Sequence, residues 1–346
     1  MSTDPNPANE QTRHIQGRFP GAPSLALTFI FAGVGYAFPN QLFADDYPLN
    51  GPISPEILNL NILVAWMGLA HFVFAYSGQA KTLRRSSGSA PLLFGASLLI
   101  GGTILALFRM RAGLRIFDSV IWVYFIPHFI KAELHFIKNC QPELSPSAWV
   151  LYWFPTVGFA FFTFALFAPI SISFNTGILI AVASFCVVGA LAGQVLQQLS
   201  EPAYAPFALL GFFFIGEALV WGTYSKYMSP QFRQGLYVFH IAVASFYHYF
   251  RSYGFALRKM RREDFGGYLL AVVFVNLALI ALGVWVAWHP AWQYAHYIFG
   301  LPYFTFWVGL HLLSSDIFSG LRRALKITSV PAEPFSGSTS QTGATS

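Results

Sequence analysis

Long apolar stretches separated by short polar or charged turns form the main pattern of this chain. Each stretch is long enough to approach or cross a hydrocarbon core of about 30 Å as an α-helix. The ten stretches lie at residues 24 to 39, 56 to 78, 90 to 108, 114 to 137, 147 to 170, 174 to 196, 204 to 225, 234 to 257, 267 to 288 and 292 to 318. The pattern therefore predicts an all-α fold, a polytopic transmembrane bundle of about ten helices.

The two ends of the chain depart from this pattern. Residues 1 to 22 are polar and carry both signs of charge, and residues 327 to 346 are rich in Pro, Ser, Thr and Gly. Neither composition can bury enough apolar surface to fold, so both segments are expected to be disordered tails. Residues 23 to 326 are expected to form a single transmembrane domain.

The overall composition supports a membrane location. Hydrophobic residues make up 55% of the chain and charged residues 10%, whereas charged residues form about a quarter of a typical soluble domain. The formal net charge of +6 does not indicate nucleic-acid binding, because the basic residues fall in short clusters beside apolar stretches. The expected partners are the lipid bilayer and an apolar small molecule.

The basic clusters also predict an orientation. Clusters within residues 81 to 85, 258 to 262 and 322 to 326 belong on the cytoplasmic side by the positive-inside rule. This places both termini in the cytoplasm, and the expected location is a bacterial inner membrane. Three arginines conflict with the scheme because it places them on the outer side: Arg109, Arg111 and Arg115.

Four histidines each lie about seven to nine residues before the end of a different apolar stretch: His71, His128, His248 and His311. In the predicted topology their helices run in one direction, so the imidazoles lie at one depth, about 10 to 14 Å from the inner ends. An unpartnered imidazole is costly in hydrocarbon, and neutral imidazole is the commonest metal ligand. Since the chain has only 2 cysteines, the pattern predicts a metal site built from histidines.

Several neighbouring polar residues fit the same site. His135 lies seven residues after His128 on the same helix face, which makes it a possible fifth ligand or a partner of a ligand. Glu133 and Asp316 are candidates to accept the second N–H of a ligating imidazole, and each also fits the role of an interfacial charge. Glu217 lies near the middle of its stretch and is a candidate proton relay.

The donor set favours Fe(2+), with Zn or Cu as alternatives. Iron with an open coordination position fits oxygen chemistry on a long apolar substrate such as a carotenoid, another isoprenoid or a lipid, and so predicts a non-haem iron oxygenase. Two alternatives stay open: an electron-transfer protein with haem b held between axial histidines, and a proton-coupled transporter or assembly factor. Three further histidines are expected in an interfacial role near the outer surface: His240, His289 and His296.

Three short segments resemble the Brp/Blh-type membrane β-carotene dioxygenases. They contain Pro127, His128 and Glu133; Tyr247, His248, Tyr249 and Phe250; and His311 with Asp316. The resemblance implies a multi-helix bundle that holds iron with histidines and cleaves β-carotene centrally with O2. It implies His128 and His248 as iron ligands and His311 as a ligand or near neighbour. The family's His-x-x-x-His pair is not present, since Ala244 stands four residues before His248, and His71 would supply the missing ligand.

Overall fold

The computed structural model describes residues 21–37, 55–84, 88–140, 205–224, 227–258, 260, 262–289 and 291–325. Within these ranges the chain is almost entirely helical and contains no strand. The nine helices within the described ranges are α1 (Ala22–Ala37), α2 (Pro55–Arg84), α3 (Ala90–Ala112), α4 (Leu114–Cys140), α5 (Ala205–Tyr224), α6 (Pro230–Arg258), α7 (Arg262–Ala287), α8 (Gln293–Phe299) and α9 (Leu301–Ala324). The predicted helices at 147 to 170 and 174 to 196, and nearly all of both predicted tails, lie outside the described residues.

Four long helices form the centre of the fold. Helix α2 packs against α6 and α9, and α4 packs against the same two, so the ring order is α2, α6, α4, α9. Successive contacts advance in the same direction along both partners, which shows that the four helices run parallel. The pairs are His71 with His248 then Phe74 with Tyr253, Phe129 with Tyr247 then His135 with Phe255, and Asp118 with Thr305 then Lys131 with Asp316.

Apolar helices surround this inner bundle. Four described helices are long and apolar enough to cross a membrane, at Ile62–Arg84, Ala90–Ala112, Ile116–Ile137 and Glu263–Ala287. Of these, α3 and α7 leave large side chains exposed along their length, and such faces fit a lipid environment. Examples are Leu92, Leu99, Ile104, Met110, Leu270, Phe274 and Leu277. Helices α6 and α9 are equally long but less apolar, because they carry buried polar groups.

The predicted helix at 292 to 318 is wrong as a single element, because it breaks at Gly300 into α8 and α9. Gly300 has extended backbone, and Pro302 stands in the first turn of α9, where the N–H that proline lacks would have no helical partner. At the break, Trp66 of α2 donates its indole N–H to the Phe299 carbonyl at 3.1 Å. That bond satisfies one of the carbonyls that the end of α8 leaves without a helical partner.

Two glycines allow the inner helices to approach closely near the histidines. A Cβ at Gly68 of α2 would lie 2.6 Å from the Tyr249 hydroxyl and 2.8 Å from the Phe304 ring. A Cβ at Gly309 of α9 would lie 2.7 Å from the end of the Ile121 side chain. At Gly68 the close atoms belong to rigid aromatic side chains, so a larger residue would push the helices apart, whereas at Gly309 the end of Ile121 would have to shift.

Candidate metal centre

Four imidazoles meet inside the inner bundle, one from each of its helices: His71, His128, His248 and His311. Following the helix order from His71, neighbouring ring centroids are 4.9, 5.3, 5.2 and 5.0 Å apart. Neighbouring ring planes cross at 72°, 69°, 76° and 72°. The structure therefore brings together the four histidines that the depth pattern singled out, in the same cyclic order as their helices.

Three of these histidines present converging donor atoms. The ring nitrogens of His71, His248 and His311 lie within 4.8 Å of one another, and all three side chains are buried. Nitrogens on opposite sides of a metal ion are about 4 Å apart, since each metal–imidazole bond is about 2.0–2.1 Å. The three could therefore hold a metal ion after small side-chain movements. His128 borders the same centre and is half-buried.

Four buried ring nitrogens of this centre have no hydrogen-bond partner in the part of the chain that the structure describes. Within the described residues no hydrogen-bond partner is found for His71 Nε2, His248 Nε2 or either ring nitrogen of His311. A buried polar group without a partner costs about 1–3 kcal/mol, and here such groups from three helices occur together. Coordination of a metal ion through these nitrogens would remove that cost, so the donor set fits a metal.

Aromatic side chains hold the imidazoles in place. The Tyr249 ring stacks on His71 with centroids 5.1 Å apart, and the Phe72 ring stacks on His311 at 4.7 Å. Two rings of α4 also contact His248: Phe125 at 6.0 Å and Phe129 at 5.9 Å. The surroundings of the centre are therefore largely apolar, which strengthens electrostatic interactions within it.

Glu133 binds an arginine rather than an imidazole. Its Oε1 accepts hydrogen bonds from Arg251 Nη2 at 2.6 Å, from Arg251 Nε at 2.9 Å and from the Tyr247 hydroxyl at 3.2 Å. Glu133 and Arg251 are 2% and 3% exposed. Because Arg251 follows His248 by three residues and Glu133 follows His128 by five, the ion pair joins α6 to α4 about one turn from the imidazoles. Sequence reasoning missed Arg251. The one signal in the sequence was that Arg251 lies about one helical turn from His248.

Asp316 lies at the seam between α4 and α9. Its carboxylate accepts a hydrogen bond from the Tyr124 hydroxyl. Lys131 Nζ lies 3.9 Å from the other carboxylate oxygen, and the Lys131 and Asp316 side chains are 71% and 50% exposed. Asp316 therefore flanks the histidine centre, and its described hydrogen bond does not go to an imidazole.

Glu217 belongs to a separate buried pair. Its Oε2 lies 2.5 Å from His240 Nδ1 across α5 and α6, and the Phe214 ring packs 4.4 Å from the imidazole. His240 is 0% exposed and Glu217 is 7% exposed. The interfacial role expected for His240 is therefore wrong, because this side chain is enclosed in the bundle and paired with the carboxylate.

The other predicted histidines lie away from the centre. His135 is exposed and packs against Phe255, with ring centroids 5.3 Å apart. His289 is exposed and stacks on Trp285 at 4.5 Å, beside further exposed tryptophans of the α7–α8 turn. His296 in α8 is partly exposed. Described contacts therefore do not bring His135 into the ring of imidazoles.

The arginines that conflict with the predicted orientation lie where α3 meets α4. The Arg109 guanidinium carbon lies 4.5 Å from the centroid of the Tyr303 ring, which is typical of a cation–π contact. Arg111 is exposed, and the Arg115 side chain lies outside the described part of the structure. Arg109 thus contributes to the packing of α3 on α9.

Fold and site together define a class: a protein whose described part is helical, with four helices long and apolar enough to cross a membrane and a buried histidine cluster that could hold a metal ion. No family model, curated protein or solved structure matches the chain. The likeness of three short segments to the Brp/Blh-type dioxygenases stays a prediction.

Proposed function

We propose that this chain is an integral-membrane non-haem iron oxygenase that acts on a long apolar substrate. The proposed ligands are His71, His128, His248 and His311. The observation that supports this function is the convergence of four imidazoles, from four parallel helices, in one aromatic-lined centre. Imidazole ligands suit iron, zinc and copper, whereas magnesium and calcium prefer oxygen. Bound Fe(2+) would supply the capacity to activate O2.

The surroundings of the centre support an apolar substrate. Phenylalanine and tyrosine rings pack on the imidazoles, and α3 and α7 present apolar faces suited to lipid. A carotenoid, another isoprenoid or a lipid dissolved in the bilayer would approach the bundle without crossing water. The basic clusters favour a bacterial inner membrane with both termini on the cytoplasmic side.

The same geometry disfavours haem. The haem alternative considered above, an electron-transfer haem b held between two axial imidazoles, needs free space in the porphyrin plane around the iron. Neighbouring imidazole centroids in the ring are 4.9 to 5.3 Å apart. If two of the four histidines served as axial ligands, the other two rings would therefore lie beside the metal. The flat macrocycle would therefore collide with the second pair.

A second candidate function is proton-coupled transport, which one observation favours. Glu217 and His240 form an acid–base pair inside the bundle, and intramembrane ionisable pairs often mark proton pathways. Under this alternative the protein would bind no metal and would show flux that depends on a pH gradient.

Metal analysis of detergent-purified protein tests the proposal. We expect about one iron per chain in the wild type, lost in the double variant His71→Ala/His248→Ala and in His311→Ala. His135→Ala is the matched control, because His135 lies on the same bundle but outside the ring, and it should retain iron. Full iron in the double variant would exclude the proposed site, and a Soret band would indicate haem instead.

Activity is tested separately from metal content. The wild-type chain, expressed in a carotenoid-producing host, should bleach the pigment if the substrate is a carotenoid, and His248→Ala should not. Oxygen uptake by the iron-loaded protein with other isoprenoids covers the wider substrate class.

A further inference from the structure

A polar group of side chains lies beside the half-buried edge of the histidine centre. Tyr124 precedes His128 by four residues on α4 and Lys131 follows it by three, so all three lie on one face of the helix. Asp316 of α9 meets this face, where its carboxylate accepts a hydrogen bond from Tyr124 and lies near Lys131. We call Tyr124, Lys131 and Asp316 the polar clasp.

Tyr124, the clasp residue farthest from the ends of its span, lies deeper than a side chain that only reaches for the membrane surface. Tyr124 is eight residues from the start and thirteen from the end of the Ile116–Ile137 span. Its hydroxyl donates a hydrogen bond to the carboxylate of Asp316, which precedes Arg322 by six residues on α9, so a charged group of α9 is paired beside this part of α4. Polar groups at this depth are costly and usually functional.

The donors and acceptors of the clasp select a ligand chemistry. Asp316 offers acceptor oxygens, Lys131 offers N–H donors, and the Tyr124 oxygen is able to accept as well as donate. A ligand hydroxyl both donates and accepts, so it satisfies both charged ends at once. A carboxylate would be attracted by Lys131 and repelled by Asp316, and an ammonium group would meet the reverse, so neither gains a net charge advantage while both lose hydration. A hydrocarbon would form no hydrogen bond.

We propose that the polar clasp binds the hydroxyl group of a long-chain alcohol whose apolar chain lies against His128. The inference rests on the proposed function and narrows it, because it identifies the substrate as an apolar chain that carries a hydroxyl near its reacting region. Lys131 and Asp316 are 71% and 50% exposed, so the clasp is accessible from outside the bundle.

The proposal is tested by ligand partition into protein-containing and empty detergent micelles. The ligands are radiolabelled hexadecanol, hexadecane, hexadecanoic acid and hexadecylamine, which share one chain length and differ in the end group. Both metal-free and iron-loaded protein are used. The variants are Tyr124→Phe and Asp316→Asn, which remove one hydrogen-bonding function each with little change of shape. Asp264→Asn, at an exposed position of α7, is the matched control.

We expect the wild type to bind hexadecanol about tenfold more tightly than any of the other three ligands, as expected for one hydrogen bond to a charged group. Tyr124→Phe and Asp316→Asn should lose this preference and keep their affinity for hexadecane, whereas Asp264→Asn should retain it. Equal binding of all four ligands by the wild type, or a preference that survives both variants, would overturn the proposal. If the protein prefers hexadecanol but takes up no iron when loaded with Fe(2+), the oxygenase function fails and the clasp stands, because none of the clasp residues is a proposed iron ligand.

Discussion

Helix α6 contributes to two buried polar sites, the Glu133–Arg251 ion pair and the cluster of four imidazoles. The two sites differ in whether their polar atoms have partners within the protein. Arg251 and Glu133 form an ion pair with three hydrogen bonds of 2.6, 2.9 and 3.1 Å. One turn earlier, His248 Nε2 is buried without a hydrogen-bond partner among the described residues. The polar atoms of the ion pair are satisfied within the protein, whereas four buried ring nitrogens of the imidazole cluster have no partner among the described residues. Burial alone therefore does not distinguish a structural site from a binding site, but the state of the polar atoms does.

The largest effect on stability is expected when the buried ion pair between Glu133 and Arg251 is broken. Arg251→Leu should lower the free energy of unfolding by about 3–5 kcal/mol, because it leaves the Glu133 carboxylate buried without its charge partner. Thermal unfolding in detergent measures the change. Arg84→Leu, at the exposed end of α2, is the control and should change stability by less than about 0.5 kcal/mol. A cost for Arg251→Leu no larger than that of the control would show that the pair is not structural.

The double variant Glu133→Leu/Arg251→Leu sharpens the same comparison. Replacing both members of a buried ion pair with apolar residues is often neutral or stabilising. The double variant should therefore be more stable than Arg251→Leu, and a double variant less stable than the single one would contradict this account.

The next largest effect on the free energy of unfolding is expected from iron binding at the imidazole cluster. Fe(2+) at about 100 to 1,000 times its dissociation constant should raise the free energy of unfolding of the metal-free protein by about 2.7–4.1 kcal/mol. His248→Leu should abolish this gain. Without metal, the same substitution should cost little or stabilise, because it removes a buried polar atom without a partner. A large loss of stability on His248→Leu in metal-free protein would mean that the imidazoles are structural.

A smaller effect is expected where the helices that carry the two sites come together. Gly68→Ala should cost about 1–3 kcal/mol, because the added Cβ would lie 2.6 Å from the Tyr249 hydroxyl and force α2 away from α6 and α9. It should also weaken iron binding, since His71 lies one turn further along α2. Gly78→Ala is the control, because a Cβ there meets nothing within 4 Å.

The smallest effect on stability is expected from losing one of the two hydroxyl groups that donate to the His311 carbonyl. The His311 carbonyl accepts hydrogen bonds from Ser314 Oγ at 2.7 Å and from Ser315 Oγ at 3.1 Å. Ser315→Ala should change stability by less than about 0.5 kcal/mol and leave iron affinity unchanged, because Ser314 still donates to the carbonyl. A larger change, measured by unfolding and metal titration, would indicate that the two hydroxyl groups are not redundant.

The depth of the four histidines could be predicted from the sequence because depth depends on position along a helix and on helix direction. The partners of polar side chains could not. Whether Glu133 faces Arg251 or an imidazole depends on how α4 and α6 are rotated about their axes, and apolar stretches this uniform carry little information on rotation. The same reason hid the pairing of Glu217 with His240. The break at Gly300 did have a signal, since Gly300 and Pro302 stand together within the predicted helix.

The hydrogen bond from Trp66 to the Phe299 carbonyl has a consequence for ligand binding. It joins α2, five residues before His71, to the corner from which α9 begins. This contact resists sliding of α9 along α2, so it sets the vertical register of His311 against His71 independently of any ion. The donors are thereby preorganised, and an arriving ion would bind with less loss of conformational entropy than at a site assembled around it.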